Sequence, residues 1–246
     1  MCELSDSLGL SIGTTNLVAA RVGSPPIVRR AVLNLFGDRA PCLGASTEDC
    51  GVTLTGFVER VGDPIPLIAP DGSAHRGEAV LAEALDSMAR TAGGGAPIVI
   101  AAPAHWGMST IGALSAALRG KPGLAAAPVV SDAAAALAGL KAGSGLPDHG
   151  VVALCDFGGS GTSVTIADAA TLSQIGETVR YPEFSGDLVE FDATPYAGDA
   201  YFQDWPHTLD RVLALGGADG RYVPGHGAVV DAAFVRAQRD WLTSRC

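Results

Sequence analysis

Twice in this chain a short apolar strand pattern runs into a turn of glycine and hydroxyl residues and out into a second strand. The first pattern joins residues 8–12 to 17–21 through Gly13-Thr14-Thr15. The second joins residues 151–155 to 163–167 through Asp156-Phe157-Gly158-Gly159-Ser160-Gly161-Thr162. Turn residues between apolar runs predict hairpins. Glycine lacks the Cβ that would block close approach, and successive amides in a turn form an anion-binding concavity. Each hairpin can therefore offer amides and hydroxyls to phosphate oxygens. Asp156, entering the second turn from a strand, can orient the water shell of a magnesium ion. Either turn alone reads more simply as a glycine-rich β-hairpin; the pair, with its shared Gly-Thr chemistry, is far more specific.

The segment between them alternates strand and helix signals. Residues 22–75 hold prolines at 25, 26, 41, 64, 66 and 70, which predicts short strands and loops. Leu81, Ala84, Leu85 and Met88 then fall on one helical stripe. A buried strand is expected at 97–102, and a helix from about Ser109 that buries Ile111, Leu114 and Leu118. A short strand at 128–130 leads to a helix reaching Leu140, which Ser131 or Asp132 can cap. This order predicts an α/β layer. From Tyr181 onward aromatic residues become dense, whereas residues 110–150 contain none, so a boundary near residue 185 is expected. Helices follow at 205–215 and along Val230, Phe234, Ala237 and Trp241.

Composition narrows the partners. A formal net charge of -10 argues against duplex nucleic acid or an anionic membrane, both of which attract clustered Lys and Arg. Glu3 and Asp6 stand where a signal peptide would be basic and then apolar, and no segment reaches ~20 uninterrupted apolar residues. A cytoplasmic location is expected. Cysteines at 2, 42, 50, 155 and 246 form no C-x-x-C pair and read as free thiols, with Cys155 in a buried strand. His105-Trp106 follows a strand and Pro103, which suggests a packed loop.

L-S-I-G-T-T-N at residues 10–16 and D-F-G-G-S-G-T-S-V-T-I at residues 156–166 resemble the two phosphate loops of the actin-like ATPase superfamily, and within it the DnaK-like heat-shock chaperones. I-V-I-A-A-P-A-H-W at residues 98–106 is similar to that family's strand-Pro-Ala-aromatic element, and residues 131–140 to its Ala-rich connecting helix. The resemblance implies an α/β, actin-like (ribonuclease H-like) ATPase lobe over residues 1–185. It also implies an ATP and magnesium site at Gly13, Thr14, Thr15, Asp156, Gly158, Gly159, Ser160, Gly161 and Thr162. Three departures bear on catalysis. Ser11 stands where the family has a metal-binding aspartate, Ser131 stands where it has a glutamate with Asp132 displaced by one position, and residues 22–96 contain no lysine to match the catalytic one. Phosphoryl transfer depends on metal and cationic charge stabilisation, so weak nucleotide binding with little or no ATPase activity is expected.

Residues 186–246 instead resemble the end of a metallo-β-lactamase-fold hydrolase. The matching parts are G-D-L-V at 186–189, Trp205-Pro206 with Thr208, Leu209 and Asp210, and V-P-G-H-G at 223–227. The resemblance implies a short α/β fragment in which Asp187 and His226 occupy two metal-ligand positions. A zinc site needs at least three protein ligands, and His75, His105 and His149 lack the spacing of that family's H-x-H-x-D-H cluster, so zinc is not expected. G-D-L-V fits both families, which makes residues 186–189 the natural junction of a chimera. Two rival readings remain: a hydrolase remnant, and a non-catalytic module that buries apolar surface by self-association or on a protein partner.

Overall fold

The computed structural model describes residues 6–44, 51–143, 145–182, 205–217, 219–222 and 230–244. The chain divides into two compact units, Met1–Ala135 and Ala136–Cys246. The domain join expected from sequence near residue 185 falls within residues 183–204, outside the described residues.

The first unit opens with an antiparallel meander of β1 (Leu8–Ile12), β2 (Asn16–Ala20) and β3 (Ile27–Arg30). An insertion follows, with β4 (Leu33–Leu35), β5 (Cys42–Leu43) and β6 (Val52–Leu54) in a small sheet and β7 (Leu67–Ile68) paired with β8 (Ala74–His75). Next come α1 (Gly77–Thr91), β9 (Ile98–Ala102), α2 (Met108–Leu118), β10 (Val129–Ser131) and the start of α3 (Asp132–Ala142). The main sheet has the order β10-β9-β1-β2-β3, with β9 parallel to both β1 and β10.

Alternation decides which face is buried. Leu8, Leu10 and Ile12 of β1, Leu17 and Ala19 of β2, and Ile98, Ile100 and Ala102 of β9 share one face and are all buried. Against this core lie Val80, Leu81, Ala84, Leu85 and Met88, the apolar stripe of α1, together with Leu114 and Leu118 of α2. Ser11, Ala101 and Val130 lie in register on the opposite face. The insertion contributes Leu33, Leu54 and the fully buried Phe57 to the same core. The buried Asn34 amide is satisfied: its Nδ2 donates to the Gly44 carbonyl at 2.7 Å, and Thr53 Oγ1 donates to its Oδ1 at 2.9 Å. Arg21 braces the end of α1 by donating to the Ala92 carbonyl at 2.9 Å, while also bonding the Gly94 carbonyl and Asp6.

The second unit holds a second antiparallel meander, β11 (Val151–Gly158), β12 (Gly161–Asp168) and β13 (Val179–Tyr181). Later come α4 (Trp205–Gly216), β14 (Arg221–Tyr222), β15 (Val230–Asp231) and α5 (Ala232–Thr243). Trp205, Leu209 and Val212 of α4 meet Val235 and Leu242 of α5 in one apolar cluster, on which Phe157 of β11 and Trp241 also pack. Asp231 caps α5 by accepting the Phe234 N–H at 2.9 Å, which satisfies one of the amides left open at a helix start. The helices anticipated at 205–215 and at the C-terminus are both present.

Candidate functional site

Because β1, β9 and β10 run parallel, their C-terminal ends leave the sheet along one edge. Three chain segments meet this edge: Gly13-Thr14-Thr15 after β1, Pro103-Ala104 after β9, and Ser131-Asp132 where β10 becomes α3. In open α/β sheets this is the edge at which ligands bind. The Gly13 N–H donates to the Asn16 carbonyl at 3.0 Å and closes the turn. A Cβ on Gly13 would stand 2.7 Å from that same oxygen, so only glycine fits. The Thr15 carbonyl accepts the Ala31 N–H at 2.8 Å, which ties the turn to the end of β3.

The two candidate caps of α3 divide the work. Ser131 Oγ accepts the Ala134 N–H at 3.3 Å and caps the helix. Asp132 Oδ1 accepts the Ala104 N–H at 2.9 Å, holding the loop after β9 against the start of α3. A half-buried carboxylate thus stands on the same sheet edge as the glycine-threonine turn. Ser11 lies on the face of β1 away from the core. His105 and Trp106 form part of a tight turn, in which Trp106 N–H donates to the Pro103 carbonyl at 2.9 Å and the indole packs on the core.

In the second unit the pairing of Gly158 with Gly161 narrows the turn to Gly159-Ser160, with Phe157 paired to Thr162 and Asp156 to Ser163 in the ladder. Gly161 has φ +145°, and a Cβ there would approach the Tyr181 carbonyl and Pro182 Cα at 3.0 Å. Asp156 and Gly159 are exposed, while Thr162 is buried. Arg180, which the sequence reading did not single out, reaches this turn from β13: its Nη2 donates to the Ser160 carbonyl at 2.7 Å and to Ser160 Oγ at 2.8 Å. The signal that could have found it is a basic residue in the third strand of the meander, but its reach to the turn depends on register.

Both lysines are engaged within their own surroundings. Lys121 pairs with Glu83. Lys141 Nζ donates to the Ala169 carbonyl at 3.2 Å. Cys155 is half-buried rather than fully buried, and burial pushes its thiol above the usual range, which disfavours a thiolate nucleophile. Asp187 and His226 lie outside the described residues. Among the described residues no group of three or more His, Cys, Asp or Glu side chains could hold a metal, and no helix is long and apolar enough to cross a membrane.

The sequence matches no protein-family model, and no curated protein is significantly similar to it. The fold, however, superposes on a non-polymerising point mutant of MamK bound to AMPPNP, with a TM-score of 0.52 and 13% identity over 97% of this chain and 76% of that one. The fold is actin-like. At 13% identity the likeness is one of architecture, and residue roles rest on the geometry of this chain.

Proposed function

We propose that this protein is a degenerate, DnaK-like member of the actin-like superfamily that binds ATP with magnesium and hydrolyses it slowly or not at all. The observation that carries the reading is the sheet edge of the first unit. Gly13-Thr14-Thr15, the amide-bearing loop at Ala104 and the Asp132 carboxylate stand there together, in an arrangement that parallel strands impose. The turn is held tight because its glycine cannot carry a Cβ, and successive amides in such a turn favour an anion. Each glycine hairpin takes a phosphate-contacting role on the geometry of its own unit, Gly13, Thr14 and Thr15 in one and Gly158 to Thr162 in the other. Asp156 is the carboxylate suited to the waters of a magnesium ion. Ser11 cannot replace a metal-orienting aspartate and both lysines are engaged elsewhere, so transition-state charge is poorly stabilised.

Titration with magnesium-ATP should raise the melting temperature, since a ligand at a hundredfold excess over its Kd stabilises by about 2.7 kcal/mol. Gly159→Val, which adds a branched side chain at the exposed tip of the second turn, should weaken that binding. Unchanged affinity in this variant would remove the second hairpin from the site. Phosphate release at the rate of an ordinary ATPase would overturn the degenerate reading.

For the C-terminal quarter, we propose that Asp187 and His226 are remnants of a ligand set and hold no zinc. Elemental analysis of the purified protein should find no stoichiometric metal. One zinc per chain, lost in His226→Ala, is the result that would reverse this.

A further inference from the structure

We infer that Arg180 is the phosphate-binding cation of the second glycine hairpin, locking the Gly159-Ser160 turn with one nitrogen and presenting the rest of its guanidinium to a phosphate. The inference rests on the nucleotide-binding reading and adds to it a residue and a charge. Register places Asp156, Ser163 and Arg180 in one row across β11, β12 and β13, hence on one face of the meander. Neighbouring strands lie about 4.8 Å apart, so a carboxylate suited to a metal's waters and a guanidinium suited to phosphate oxygens flank one strand.

Three observations together point to Arg180. Both of its hydrogen bonds use Nη2 and go to the neutral oxygens of Ser160, leaving Nη1 and Nε without a partner among the described residues. Arg21, Arg60, Arg76, Arg90 and Arg239, by contrast, are each paired with a carboxylate. A half-buried guanidinium that is fixed in place and lacks an acidic partner among the described residues favours an anion at its open side. The third observation is Gly161, where a Cβ would stand 3.2 Å from Arg180 Nε, so the glycine keeps the path of this side chain clear. A guanidinium held in place by the turn through Nη2 is preorganised to donate to an anion from Nη1.

The test compares Kd values of the full-length protein for magnesium-ATP, tripolyphosphate and adenosine. Arg180→Ala should weaken ATP and tripolyphosphate binding about tenfold or more and leave adenosine unchanged, because hydrogen bonds to charged groups exceed neutral ones. Arg180→Lys should recover part of the loss. A purely structural role would reduce all three affinities together. If Arg180→Ala does not fold, Arg180→Gln, uncharged but able to donate to Ser160, carries the same comparison. Wild-type protein that binds none of the ligands would sink the nucleotide reading itself. Wild-type protein that binds ATP, with variants that bind it equally well, would sink only the assignment of Arg180.

Discussion

Ile100→Ala should lower the free energy of unfolding by about 2–5 kcal/mol, the range for truncating a buried aliphatic residue. Ile100 is fully buried in β9, which lies between β10 and β1, and its partner in register is Leu10. Beneath it the same cluster holds Leu81, Leu85 and Met88 of α1. A strand backbone clamped on both edges cannot collapse into the space left by three carbons, so the loss includes a cavity as well as a transfer contribution. Val22→Ala makes the control. Val22 is 80% exposed, and its truncation should change stability by less than about 0.5 kcal/mol. Urea denaturation of the two variants measures the difference. A loss below about 1 kcal/mol for Ile100→Ala would mean that β9 is not the covered inner strand described here.

Gly13→Val should abolish measurable magnesium-ATP binding and destabilise the protein by about 1–3 kcal/mol, as expected where extra carbons meet a packed site. The obstacle is backbone. A Cβ at position 13 would stand 2.7 Å from the Asn16 carbonyl oxygen, which is also the acceptor of the Gly13 N–H. Relieving the clash therefore breaks the hydrogen bond that closes the turn and moves the amides proposed to face a phosphate. Gly107 provides the comparison, since a Cβ there meets nothing within 4 Å; Gly107→Ala should bind ATP as the wild type does. Calorimetric titration of both variants decides it. Wild-type ATP affinity in Gly13→Val would exclude the first turn from the site.

Much of the fold was legible because its signals are local. The alternation of Leu8, Leu10 and Ile12 and the glycine between strands announced the first hairpin, and β1 and β2 form where expected. The stripe Leu81, Ala84, Leu85 and Met88 announced α1 in the same way. Cys155 was less transparent, since its strand lies on an incompletely covered sheet and burial there depends on what packs above it.

The sequence by itself determined the two glycine turns and the order of strands and helices around them, because turn chemistry and side-chain periodicity are properties of short stretches of chain. Only the tertiary structure decided the rest. Parallel pairing of β9 with β1 and β10 brought Asp132, more than a hundred residues away in the chain, to the sheet edge that carries Gly13. The choice between Ser131 as cap and Asp132 as brace was equally invisible, since both side chains can accept an amide and only the position of Ala104 selects one. Arg180 is the clearest case: nothing adjacent to it marks a site, and it reaches Ser160 only because β13 pairs with β12 in a register that sets it beside Ser163. Contacts between residues distant in sequence depend on strand register and packing, which the whole fold settles cooperatively and no local pattern records.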